Sequence, residues 1–327
     1  MQPGCRRTFA PNREDSALTQ LLAFFARHGR LVLVLGLVAG VGLPDLAAAM
    51  KPYLPHMVAL TLFLAALRIG PQQALGKLRD LGGIIPIIGI YQIAVPLAFI
   101  IVLPWTGLSP VLVTAITLMA AAPSISGSPN LTMMVGHDPA PALRLLIAGT
   151  AAVPATAFVV FLFVPAFGSA YDVAISAFRL LVLIGAAACF AFLLRIFVFK
   201  DASAKFTNSV DGLSAIAMAG IVIGLMTAIG PALATNPMVV VYTLIIACAA
   251  SFGLQIVAYY LLPKNKTPGM RVGYSVVSGC RNNALFITAL PAAVTDPLLL
   301  YIGCYQIPMY LTPLLLKWLY ADQPEPS

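Results

Sequence analysis

Ten runs of mostly apolar residues, parted by short polar or Pro/Gly punctuation, decide what this chain can fold into. They cover about 31–50, 54–70, 82–103, 111–135, 143–167, 173–198, 210–230, 237–262, 270–291 and 298–319. A helix needs about 20 such residues to cross roughly 30 Å of hydrocarbon. Barrel strands are excluded as the main element, because they show roughly ten-residue alternation with a polar lumen face. Composition agrees: 60% of residues are hydrophobic and 9% charged, against about 45–50% and about 25% in soluble domains. The expected fold class is an all-α membrane protein with ten transmembrane helices.

A net charge of +8 suggests nucleic acid until the charges are placed. With the N-terminus in the cytoplasm and ten spans threaded, 16 of the 19 Lys and Arg fall inside. Lys51 alone falls outside, and Arg179 and Arg281 lie within spans. That is the positive-inside bias of a polytopic protein with both termini cytoplasmic. The lipid bilayer is therefore the implied partner, with no nucleic acid and no obligate protein partner indicated. The first 30 residues lack the apolar core and cleavage motif of a signal peptide. Leu18 to His28 reads as a short interfacial helix. This compact N-terminus suits a bacterial inner membrane. Five cysteines without a CxxC pair argue for neither disulfides nor zinc.

Ten spans divide into five plus five. An odd number per half turns the second half over. The expected organisation is an N-terminal segment 1–30, a first five-helix repeat 31–167, an inverted repeat 168–320 and a tail 321–327. Two segments carry a shared pattern: Ser126-Gly127-Ser128-Pro129-Asn130 in span 4 and Ser278-Gly279-Cys280-Arg281-Asn282 in span 9. Inside a helix Gly costs about 1 kcal/mol against Ala and Pro about 3, and Pro129 also removes a donor. In lipid such breaks survive only where they line a cavity or are buried in protein. Inverted repeats with matching broken helices are the sequence pointer to a secondary transporter site. The competing reading is close helix packing through small residues. A weaker echo places Gln92 in span 3 and Gln255 in span 8, within reach of the breaks or simply bonding between helices; Tyr305-Gln306-Ile307 contains a similar tripeptide outside the symmetry.

At these residues the chain resembles the bile acid:sodium symporter family. The resemblance implies two inverted five-helix repeats whose fourth and ninth helices unwind and cross, with a core of spans 3, 4, 5, 8, 9 and 10 and a panel of 1, 2, 6 and 7. The family's ninth-helix signature Glu-x-Gly-x-Gln-Asn meets Val277-Ser278-Gly279-Cys280-Arg281-Asn282 here, and its Pro-Gly-Gly-Thr-x-Ser-Asn meets the stretch from Pro123 to Asn130 in either of two registers. The resemblance implies two sodium ions, yet the Glu that serves both is Val277 and the neighbouring Gln is Arg281. Both Glu of the chain, Glu14 and Glu325, lie in the tails, and no Asp sits deep in a span. No cofactor is expected, and sodium coupling of the family kind is expected to be lost.

Arg281 lies near the bilayer middle, where a charge costs at least about 2.5–3.5 kcal/mol. Two compatible readings follow. Its fork holds broken-helix carbonyls in place of an ion, or it pairs with an anionic substrate. Arg179, nearer a span end, is expected to snorkel. Asn282 and Asn283 add donors and acceptors, with Asn282 favoured as the counterpart of Asn130. Cys280 gains reactivity from the neighbouring cation unless its surroundings are apolar. His137 and Asp138 belong in a solvated cytoplasmic turn. The leading function is a secondary transporter for a small organic anion, a carboxylate or sulfonate. The alternatives are a sodium symporter with a shifted site, an oxyanion or arsenite permease, and a non-transporting homologue. Thiol-dependent arsenite carriers use a Cys in the fourth helix, and spans 3 to 5 have none. Nothing resembles an enzyme: no HExxH, no paired intramembrane carboxylates, no phosphate loop.

Overall fold

The computed structural model describes residues 17–79, 82–199, 203–263 and 268–321. The tail charges, including both Glu, and Lys200, Lys264 and Lys266 lie outside the described residues. Among the described residues the secondary structure is helical, apart from a single isolated bridge between Ser124 and Arg281.

α1 (Ala17–Arg27) and α2 (Gly29–Gly42) meet at a bend of 85°. α3 (Pro44–Met50) opens with proline at its first turn, where the missing N–H is harmless, and leads through a tight turn into α4 (Leu54–Arg79). α4 kinks at Gly70, whose φ of +74° only glycine adopts cheaply. α5 (Ile85–Gly89) and α6 (Val95–Val102) are joined by a widened π turn over Ile90–Ala94. Pro96 has no N–H for the Gln92 carbonyl four residues back, which accounts for the widening there. α7 (Pro110–Ala121) is capped by Ser109, which accepts from Leu112 N. α8 (Ser128–Met134) and α9 (Ala140–Phe161) follow. α10 (Ala170–Phe197) begins with a Ser169/Asp172 capping box. α11 (Ala204–Leu225), α12 (Ile229–Thr235), α13 (Pro237–Leu261), α14 (Pro268–Gly279), α15 (Ala284–Ile287), α16 (Ala292–Thr295), α17 (Leu299–Leu315) and α18 (Lys317–Tyr320) complete the chain.

Among the described residues, seven helical stretches are long and apolar enough to cross a bilayer: Pro44–Ala74, Ile85–Thr106, Ala140–Phe161, Ala170–Phe197, Ala204–Thr235, Pro237–Leu261 and Ala292–Leu315. The bent pair α1 and α2 makes up to eight. The protein is a multi-pass helical membrane protein. Three expected segments are not single helices. The stretch 31–50 splits at Leu43, 111–135 divides into α7 and α8, and 270–291 into α14 and α15. Each contains Gly, Pro or both at or near the break, so local geometry overrides hydropathy there.

α2, α4, α10 and α11 pack on one another, while α9, α14 and α17 gather around α7 and α8, with α13 against α14 and α17. α10 turns Phe178, Leu181, Val182, Phe190 and Phe197 outward, the surface expected of a helix bathed in lipid tails. Arg179 is exposed on the same helix. Among the described residues, Arg68 Nε pairs with Asp211 at 2.5 Å and Lys51 Nζ with Asp296 at 2.9 Å, each tying distant segments. The second is half exposed, so screening and side-chain entropy offset most of it. Lys51→Ala is expected to lower stability by no more than about 1 kcal/mol, read as a small shift in the thermal melt of detergent-purified protein. A large drop would show this end of the bundle to be held far more tightly than its exposure implies.

Candidate functional site

The chain leaves α7 at Ala122 and α14 at Cys280. The two open stretches lie side by side as one antiparallel rung, with Ile125 N donating to Cys280 O (3.1 Å) and Asn282 N donating to Pro123 O (2.8 Å). Ala122 is extended, as a residue before proline prefers. Two helix C-termini therefore end at one place, each presenting bare carbonyls and the negative end of its dipole.

Arg281 resolves that problem. Its Nε donates to Ser278 O (2.9 Å) and its Nη1 to Ala122 O (3.1 Å), so one guanidinium holds the carbonyl ends of both half-helices. The residue is 2% exposed, and its guanidinium carbon sits 5.0 Å from the centre of the Tyr91 ring. Nη2 has no protein acceptor among the described residues. Behind it, Tyr305 Oη donates to Gly279 O and accepts from Arg281 N (2.8 Å). Ser251 Oγ donates to the same Gly279 carbonyl (2.9 Å). Gly279 is there because α13 runs against it: a Cβ would stand 2.1 Å from Ser251 O.

A cavity opens beside the rung, with about 460 Å³ free of atoms, part of it open to the surroundings. Its polar lining is Ser126, Arg281, Asn282, Asn283, Gln306 and Tyr310, with Thr61 of α4, and its apolar wall comes mainly from α11 and Met309. Asn283 is 1% exposed, and neither of its side-chain polar atoms has a hydrogen-bond partner.

The expected site residues divide. Ser126, Arg281, Asn282 and Asn283 line the cavity together. Gly127 and Pro129 are half-buried at the start of α8. Ser128 is buried and bonds Ser124 Oγ (2.6 Å), knitting the break internally. Asn130 is exposed on α8 and does not line the cavity, so it is not placed like Asn282. Ser278 gives its hydroxyl to Leu254 O and Ser275 O, Gly279 is packing, and Cys280 is fully buried against Thr312 and Met309. That burial removes the access a reactive thiol needs. Gln92 spends both ends on α9, donating to Gly149 O and accepting from Thr156 Oγ1. Gln255 donates to Thr312 Oγ1 and accepts from Tyr320 Oη. Both glutamines are interhelical ties. His137 is half-buried and its Nε2 meets Tyr320 O at 2.9 Å, a correction to the solvated turn expected there; neighbouring Asp138 is exposed. Tyr91, Tyr305, Gln306 and Tyr310 were not among the expected site residues. Only the Tyr-Gln-Ile tripeptides at 91–93 and 305–307 gave a signal.

A sodium ion does not fit these residues. The place where bare carbonyls converge is taken by a fixed cation, and Val277 is buried in an apolar cluster with Tyr274 and Ile84. Among the described residues no carboxylate is buried and no cluster of three potential metal ligands exists. No protein-family model matches this chain, and no curated protein matches it.

Proposed function

We propose that the protein is a secondary transporter for a small organic anion, a carboxylate or sulfonate, working by alternating access with Arg281 in place of the sodium that the resemblance to bile acid:sodium symporters implies. The observation that carries this reading is the guanidinium shared by two half-helix ends, with Nη2 unclaimed, on a residue that lines a cavity. A buried fixed cation with an unclaimed N–H pair offers an anion a charge-assisted contact in a low-dielectric site.

The reading includes ten passes in two inverted halves. Supporting it, the rung pairs Ser124 with Arg281, 157 positions apart. A shift by that number carries 110–121 onto 267–278, where α14 stands, and 140–161 onto 297–318, where α17 stands. The Ser-Gly-x-x-Asn match, 152 positions apart, is five out of this register. The pairs Arg68–Asp211 and Lys51–Asp296 each join ends that the ten-pass threading puts on one side. The mutual packing of α2, α4, α10 and α11 supplies a frame against which a core can rock.

The test is uptake into proteoliposomes of a labelled carboxylate and sulfonate panel, with and without a sodium gradient. Exchange against internal anion that ignores sodium, and that Arg281→Gln reduces at least about tenfold, is the expected result. Uptake that needs the sodium gradient would establish a symporter with a shifted site. Failure of every anion to move would favour the non-transporting homologue.

A further inference from the structure

Among the described residues that line the cavity, Asn283 is the one whose side-chain polar atoms are both buried and unbonded. A carboxamide offers two donors and a carbonyl acceptor, and stranding all of them in a membrane interior is an arrangement that native proteins rarely keep. Its backbone is not at fault, since Asn283 O accepts from Phe286 N. The side chain also fails to cap the short helix it precedes. A leucine of nearly the same size would remove the cost, so the carboxamide is retained at the expense of stability.

We propose that Asn283 is a specificity-determining residue, completed by a neutral hydroxyl or amide that the substrate carries within two or three carbons of its carboxylate. The inference rests on the anion-transporter reading above and narrows it. Arg281 and Asn283 are two positions apart in one non-helical stretch, which keeps their Cα atoms within about 7 Å. Both line the same small space. A ligand whose carboxylate meets Arg281 Nη2 therefore brings its nearest substituent to Asn283. A hydroxyl is both donor and acceptor and answers the carboxamide in either orientation. The wall of Ile221, Val222, Leu225 and Met309 takes the apolar remainder. The cavity holds one cation and no second one, which disfavours dianions.

The experiment is thermal-shift titration of full-length protein in detergent with hexanoate, 2-hydroxyhexanoate and 3-hydroxyhexanoate, on wild type and on Asn283→Leu. Wild type is expected to bind one hydroxy acid about tenfold more tightly than hexanoate. Asn283→Leu is expected to melt higher without ligand and to bind all three acids alike, at the affinity wild type has for hexanoate. Equal binding of the three acids by wild type, or an undiminished hydroxyl preference in Asn283→Leu, overturns the role of Asn283 and leaves anion binding standing. Absence of any shift with all three acids, in wild type and Arg281→Gln alike, overturns the anion reading itself. If Asn283→Leu fails to fold, Asn283→Asp replaces it. A carboxylate beside the bound carboxylate is expected to abolish binding of all three, and unchanged binding would overturn the proposal.

Discussion

Arg281→Gln is expected to lower stability by about 2 kcal/mol and to make the protein respond to sodium. Two charge-assisted bonds, to Ser278 O and Ala122 O, are lost, each worth about 1.5–3 kcal/mol. Favourable interaction with two helix C-termini adds about 1 kcal/mol. Against this stands relief from burying a charge at membrane depth, at least about 2.5–3.5 kcal/mol, together with the amide that Gln offers to one carbonyl. The terms nearly cancel, and the remainder still favours arginine. Sodium chloride replacing choline chloride at fixed ionic strength is expected to restore part of the loss in the variant and to leave wild type unmoved. Arg281→Lys should fall between the two, since an ammonium keeps the charge but not the planar fork. If wild type itself gains stability from sodium, the guanidinium is not the stand-in for an ion, and a cation site lies elsewhere.

The second large effect belongs to Gly279→Ala. An added Cβ would stand 2.1 Å from Ser251 O and 2.6 Å from Gln255 Cγ, and the first of these is backbone that cannot rotate away. α13 and α14 must part. That loosens the bonds Ser251 Oγ to Gly279 O, Ser275 Oγ to Gln255 O and Ser278 Oγ to Leu254 O. Overpacking alone costs about 1–3 kcal/mol, and each bond lost about 1 more, so a loss of about 3 kcal/mol or greater is expected. Gly253→Ala, on the facing helix α13 but with open space around it, should be neutral or gain up to about 1 kcal/mol from helix propensity. Comparing the two melts separates a contact effect from a general intolerance of alanine for glycine in this helix pair. Equal melts would mean that α13 and α14 do not approach as closely as Gly279 allows.

Hydropathy made the long helices legible, because a lipid-crossing helix must be apolar along its whole length. It made the broken segments look like continuous spans for the same reason. The Ser-Gly-x-x-Asn pattern led to both breaks through the chemistry of poor helix formers, but its register misled. Ser126-Gly127 falls after the rung, whereas Ser278-Gly279 closes α14 before it. Asn130 thus ends up exposed while Asn282 lines the cavity. Arg281 was conspicuous because charge at membrane depth is rare. Tyr305 and Gln306 were harder, as was the lack of any partner for Asn283, a residue the sequence did offer as donor and acceptor. Their importance lies in which distant backbone α17 approaches and in whether a side chain finds a partner, and neither leaves a periodic mark in the sequence.

The guanidinium of Arg281 has an electrical consequence, because it is tethered to the chain. An ion that couples transport is set free on one side of the membrane; a tethered charge returns with every cycle. If the crossing moves through the field during the proposed cycle, a monoanion seated on Arg281 makes the loaded passage nearly electroneutral. The empty return instead carries a bare positive charge, worth about 2.3 kcal/mol for each 100 mV it traverses. Such a carrier turns over fastest when loaded in both directions. Membrane voltage would then govern its net flux while leaving one-for-one exchange almost untouched.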